Sequence, residues 1–299
     1  MVWEVCNCHS RFGNHLMKVA VSGATGFVGR YIIAELEKRS ITPILLVRPS
    51  SILSLSNKNN TIIPIDLYSY SEDSNLFDYI GRPDLLIHCA WSGLPHYNSC
   101  HHFENELPIQ YRFIANLIKN GLKNLLVTGT CFEYGMQSGE LSEEMIAKPN
   151  NPYGYAKTAL FEQLKYFQKF HHFNLTWARL FYVYGEGQSK NSLFSQLGQA
   201  VYNRELTFNM SGGEQLRDYL HISEIAFLIV SLALQQKDNN IVNICSGKPI
   251  SIRTIVENWI AERNWKIEIN LGYYPYPDYE PMAFWGSRKK LDHCLKGII

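Results

Sequence analysis

Residues 18–40 read KVAVSGATGFVGRYIIAELEKRS. A short β-branched run leads into a turn with Gly23, Gly26 and Gly29 at every third position, and then into apolar residues at helical spacing. Strand, glycine turn and helix, in that order, make an anion site. Glycines let the backbone approach a pyrophosphate, and the helix N-terminus carries the positive end of the peptide dipoles. This G-x-x-G-x-x-G turn places its second glycine one residue later than the G-x-G-x-x-G fingerprint, with the same physics. A glycine turn that only packs a helix on a strand is the competing reading. Its place at the first strand of an alternating chain favours a dinucleotide, with Gly23, Thr25, Gly26, Phe27, Val28 and Gly29 as candidate contacts.

Outward from this turn, strand-like and helix-like segments alternate. Strands are expected in TPILLVR (42–48), TIIPIDL (61–67), DLLIHCA (84–90), NLLVTGT (124–130) and NLTWARLFYVYG (174–185). Helices are expected through ELPIQYRFIANLIKNG (106–121) and GYAKTALFEQLKYFQKF (154–170). Short buried strands separated by helices predict an α/β fold, a doubly wound parallel sheet with right-handed crossovers. A dinucleotide-binding Rossmann domain is predicted over 17–184, with the strand 241–246 returning to its sheet. Residues 185–240 and 247–299 are assigned to a smaller substrate-binding α/β region on the carboxyl edge, where ligands of such folds sit.

The composition excludes several classes. With 299 residues, 46% of them hydrophobic and 18% charged, the chain is globular. A formal charge of +1 points to no nucleic acid and no membrane surface, and no apolar run reaches the roughly 20 residues of a membrane span. Seven scattered cysteines suit free thiols in a reducing cytoplasm. Residues 1–16 lack the pattern of a secretion signal and are expected to be a disordered extension. Cys6, Cys8, His9 and His15 there have no second ligand pair at finger-like spacing, so no metal is expected.

Cofactor choice is read at the end of the second strand. An acidic residue there would accept hydrogen bonds from the adenosine ribose and favour NAD. The strand ends instead in Arg48, followed by Ser50 and Ser51, which suit a 2′-phosphate; NADP(H) is the expected cofactor. Asp66, ending the third strand, is a candidate acceptor for the adenine amino group, with Leu67 and Ala90 as further contacts.

Residues 150–164, NNPYGYAKTALFEQL, place two tyrosines ahead of Lys157. Residues four apart on a helix share a face, so Tyr153 lies with Lys157 and Tyr155 points away. A neighbouring ammonium is expected to lower the phenol's pKa towards the working range of a proton-transfer group. Thr130, at the end of its strand, is placed to share a substrate oxygen with Tyr153.

These motifs, with EYG (133–135), RLFYVYGEGQ (179–188), RDYLHISEIA (217–226) and NICSGKPIS (243–251), make the chain resemble the extended short-chain dehydrogenase/reductases that act on nucleotide sugars, the epimerase/dehydratase group. The resemblance runs from about Lys18 to the C-terminus. It implies Tyr153 as general acid/base, Thr130 as its hydroxyl partner, and Lys157 as ribose ligand and tuner of Tyr153. It also implies Arg217 on the diphosphate of a nucleotide sugar, Trp91 and Cys131 near the sugar, and Tyr182 near the cofactor. A homodimer through paired helices is common in the group.

Departures from the pattern narrow the reaction. Sugar 4,6-dehydratases carry an Asp-Glu pair directly after the threonine; Cys131 and Phe132 stand there instead and cannot do that work. The epimerase-reductases use a cysteine at the position of Phe132. Tyr182 replaces the asparagine common in NVYG. A one-step C4 ketone reduction or a C4 epimerisation remains, and Arg48 favours dissociable NADPH and hence reduction. AWSGLPHYNS and YPDYEPMAFWG are similar to reductases that finish bacterial deoxysugars for polysaccharides such as O-antigen, which implies a dTDP-4-keto-6-deoxyhexose as substrate. A non-catalytic NADP-sensing regulator is the rival from another class; loss of the tyrosine or lysine would mark it, and both are present.

Overall fold

A computed structural model describes residues 17–54, 60–71 and 74–298; the expected extension, with Cys6, Cys8, His9 and His15, lies outside the described residues. Seven strands, β1 (Val19–Ser22), β2 (Ile44–Val47), β3 (Thr61–Pro64), β4 (Leu85–His88), β5 (Asn124–Thr130), β6 (Asn174–Leu180) and β7 (Asn240–Ile244), form one sheet in the order β7-β6-β5-β4-β1-β2-β3. Every pairing in it is parallel. The longer helices are α1 (Phe27–Lys38), α2 (Leu107–Lys119), α3 (Pro152–Gln168), α4 (Leu193–Tyr202), α5 (Ile222–Ala233) and α6 (Ile252–Glu262).

Strand period sorts the core into two layers. Val19, Val21, Leu45, Val47, Leu85 and Ile87 pack with α1 and α5, whereas Ala20, Leu46, Leu86, Leu125 and Val127 pack with α2 and α3. Covered on both faces, β1, β4 and β5 are buried throughout, which is why they read as apolar runs without alternation. The order reverses between β1 and β4, opening the crevice in which this fold holds ligands.

Two segments differ from expectation. The run 174–185 is not one strand: β6 stops at Leu180, and Tyr182–Tyr184 pairs instead with Tyr219–His221. Phe181 makes the break, buried with Tyr134, Cys245 and Phe284 beyond the sheet edge. Helix α5, within the span assigned to the smaller region, packs under the large sheet against α1. A separate cluster of Phe194, Leu197, Phe208, Val256 and Trp259 joins α4 and α6. Among the described residues, no helix is long and apolar enough to cross a membrane.

Candidate active site

The glycine turn sits at the β1/β4 reversal. Gly23 takes φ 70°, and a Cβ there would lie 2.8 Å from the Ala90 amide nitrogen, so the ends of the two strands meet backbone to backbone. Gly26 caps α1 without any side-chain bond, leaving first-turn amides open to an anion. Thr25, Phe27, Val28 and Gly29 complete this turn. Arg48 is exposed directly after β2. Asp66 and Leu67 follow β3, where Asp66 Oδ1 accepts the Tyr68 amide at 3.0 Å. All these residues lie at the carboxyl ends of parallel strands. A crowded glycine cradle and an uncapped helix start fit a dinucleotide.

The proton-transfer residues converge next to it. Asn151 caps α3 by accepting the Gly154 amide at 2.8 Å, and Pro152 sets the first turn. Tyr153 and Lys157 then face inward, 8% and 2% exposed, while Tyr155 is 54% exposed. Lys157 Nζ donates to the Thr128 carbonyl at 2.9 Å and lies 4.0 Å from the centroid of the Trp91 ring. Trp91 is fixed in turn: its indole N–H donates to His102 Nδ1 at 3.1 Å, so His102 carries its proton on Nε2, towards the His96 carbonyl. Pro108 has no N–H to bond back into the preceding turn, and the chain widens there into a π turn over His102–Glu106 that buries both of its end residues. Rings of Trp91, Tyr97, His102 and Phe132 surround Tyr153, and the Thr130 hydroxyl hydrogen-bonds it.

This enclosure corrects one expectation. Burial pushes the Tyr153 phenol well above its usual pKa; nearby Tyr97, Glu133 and Cys131 push the same way, and only the Thr130 hydrogen bond opposes them. Lys157 is not the dominant influence, because its ammonium is turned to Thr128 and the Trp91 face. Its own pKa is pushed down to about 8 by burial, against the opposing pull of Glu133, Cys89 and Glu106. Tyr153 thus stays a proton donor throughout the physiological range, while Lys157 is the group that titrates. Turnover in the reducing direction should hold below about pH 8 and fall as the ammonium is lost above it. The alkaline limb of kcat/KM for the cofactor, which reports the free enzyme, checks this; a limb above pH 10 would mean that burial is not acting on Lys157.

Beyond Cys131, a buried thiol pushed to high pKa by desolvation, lies the third group. Arg217, 2% exposed, pairs with Glu280 at 3.0 Å and packs its guanidinium 4.6 Å over the Phe284 ring. The Tyr182 hydroxyl donates to the other oxygen of Glu280, so this residue, expected at the cofactor, also braces the arginine's carboxylate. Glu280, Tyr97 and His102 were not found from sequence; the first two lie in loops and His102 opens the π turn, none of them in a segment with a regular period. Glu133 carried a signal, as the fourth residue of a Thr-x-x-Glu capping box starting at Thr130.

Residues 19–245 match the NAD dependent epimerase/dehydratase family. The chain belongs to that family. Among its relatives is the dTDP-6-deoxy-L-talose 4-dehydrogenase (NAD(+)) of Aggregatibacter actinomycetemcomitans, 31% identical over 91% of this chain and 100% of that one. The dTDP-4-dehydro-6-deoxyglucose reductase of Escherichia coli is 26% identical over 80% of this chain and 79% of its own. Family structures share the fold: MoeE5, solved with UDP-glucuronic acid and NAD, superposes with a TM-score of 0.76 at 23% identity, covering 93% of this chain and 92% of its own.

Proposed function

We propose that the protein is a cytoplasmic 4-ketoreductase of nucleotide-linked 6-deoxyhexoses, using NADPH and acting on dTDP-4-dehydro-6-deoxyglucose or a close isomer. The observation that carries this reading is the buried Thr130–Tyr153–Lys157 cluster with Cys131 and Phe132, rather than carboxylates, beside it. A ketone can be protonated there, but the acid–base pair needed to eliminate water is missing. The two relatives named above act, by their names, on dTDP-linked 6-deoxy sugars, one as a 4-dehydrogenase and the other as a reductase of a 4-dehydro sugar, two directions of the same type of redox chemistry on different sugars.

In this reading a nicotinamide held at the glycine turn would supply the hydride that C4 takes up. Tyr153 gives its phenolic proton to O4 as the C=O becomes CH–OH, and Thr130 holds the same oxygen in line. Lys157 binds the nicotinamide ribose and keeps a positive charge beside the phenolate that forms. The ring of aromatics excludes water and fits the apolar side of a deoxy sugar. Arg217 receives the diphosphate, and the region assigned to residues 185–240 and 247–299 supplies the rest of the nucleotide-sugar site.

The assay mixes a panel of nucleotide-linked 4-keto sugars with enzyme and NADPH and follows product mass. A product heavier than the ketone by two hydrogens, with one NADPH oxidised, is expected. A sugar isomerised without net NADPH loss would make the protein a 4-epimerase. The cofactor half rests on Arg48, against the NAD(+) in the name of one relative. Arg48→Asp should erase or reverse a preference for NADPH over NADH, since one charge-assisted phosphate contact is worth roughly ten- to a hundredfold in affinity. Equal use of both cofactors by the unmodified protein would overturn that half alone.

A further inference from the structure

Glu133 belongs to the short 3-10 turn Cys131–Tyr134 that follows β5, and its side chain is completely buried. A buried carboxylate next to a buried arginine invites a simple account: each neutralises the other. The hydrogen bonds argue against that account. A guanidinium and a carboxylate left to themselves form a two-pronged fork. Here Arg179 Nε reaches one oxygen, Oε2, at 2.7 Å, and Arg179 Nη1 has no hydrogen-bond partner among the described residues. Oε1 is turned the other way. It accepts the Thr130 amide at 2.8 Å and the Trp177 indole N–H at 2.9 Å. Gly129 makes room for this: a Cβ there would sit 2.6 Å from Oε1 and collide with the Trp177 nitrogen.

The consequence is felt at the residue that bonds Tyr153. Thr130 is fixed through its amide by Glu133, and its hydroxyl oxygen accepts the Phe132 amide at 3.3 Å. The carboxylate also faces the two proton-transfer residues. Around Lys157 the titratable groups are Glu133 from this turn, His88 and Cys89 from the end of β4, Glu106 and His102 from the π turn, and Tyr153 from its own helix. Around Tyr153 they are Glu133, Cys131, Tyr97 and Lys157.

We propose that Glu133 is a positioning residue of the active site, its carboxylate clamped by Arg179 and Trp177 so that it fixes Thr130 against Tyr153 and sets an ion-paired carboxylate near Lys157. It touches no substrate and acts through its neighbours. The role rests on the ketoreductase reading for Tyr153 and Lys157, and it favours retention of the proton on both.

Glu133→Gln keeps the shape and an acceptor for the Thr130 amide but leaves Arg179 charged and unpaired in the interior, which can unfold the chain. The double variant Glu133→Gln/Arg179→Met removes both charges at similar volume and is the decisive protein. Turnover by the unmodified enzyme tests the function; the ratio of variant to unmodified, on whichever nucleotide sugar is turned over, tests Glu133. A folded double variant should bind the cofactor within about threefold, lose about tenfold or more in kcat, and show the alkaline limb of kcat/KM shifted acidward by about half a unit or more, because the charge sustaining the Lys157 ammonium is gone. A folded double variant whose limb stays in place overturns the proposal whatever its kcat. Failure of both variants to fold also overturns it, by assigning the pair to stability alone.

Discussion

Tyr153→Phe should reduce kcat by roughly a hundred- to ten-thousandfold, the range spanned by a positioned general acid. Folding and cofactor affinity should be largely kept. The ring stays in place among Trp91, Tyr97, His102 and Phe132, and the change removes one hydrogen bond to Thr130, worth about 1 kcal/mol. Tyr155→Phe, two residues on and more than half exposed, should change turnover by less than about twofold, because surface substitutions away from partners cost little. Single-turnover rates with saturating cofactor separate the two. Equal losses in both variants would remove Tyr153 from its assigned role.

Gly29→Ala should cost the protein both stability and its cofactor. The added methyl would lie 2.9 Å from the Gly23 carbonyl carbon and closer still to its oxygen, in a helix start already held by the bond from the Gly26 amide to Gly23 O. Helix α1 can escape only by moving away from the turn, at a cost of about 1–3 kcal/mol of packing. That movement also withdraws the open amides from a pyrophosphate, so nucleotide affinity should fall by well over tenfold. Gly198→Ala is the control. Inside α4, its methyl would meet only Trp265 at 3.9 Å, and the residue should gain up to about 1 kcal/mol as glycine leaves a helix interior. Thermal melts of the two variants should therefore move in opposite directions, and nucleotide affinity should fall in Gly29→Ala alone. A Gly29→Ala protein that binds nucleotide normally would show that the turn is only a packing device.

The parallel sheet was legible because its strands are buried on both faces and its helices are not: β1, β4 and β5 each carry three consecutive apolar residues, Val19–Val21, Leu85–Ile87 and Leu125–Val127, and the glycines fall between a strand and a helix. Tyr153 and Lys157 were legible for a similar reason, since helical spacing alone puts them on one face and Tyr155 on another. What sequence could not supply was the environment of that face. Tyr97 comes from a loop and His102 from the start of a π turn, neither with a regular period, and the burial they help to create reverses the expected direction of the Tyr153 pKa. The break after Leu180 was hidden as well. Phe181 and Tyr182 continue a strand-like pattern, and only the pull of Tyr134, Cys245 and Phe284 takes the chain out of the sheet. Glu133 was visible as a capping residue, but nothing in a capping box says that the carboxylate continues inward to an arginine on the next strand.

The pairing of Arg217 with Glu280 has a thermodynamic consequence of its own. The arginine proposed for the diphosphate is not waiting in water; it already holds an anion, itself braced by Tyr182. Arrival of the sugar nucleotide is therefore an exchange reaction, in which one negative group displaces another from the same cation. The measured dissociation constant is the intrinsic one divided by the fraction of molecules in which Glu280 has swung clear, so every tenfold of closure weakens binding tenfold. Weakening the internal pair, as by Glu280→Gln, would release that constraint and tighten binding of the nucleotide sugar without adding a single contact to it.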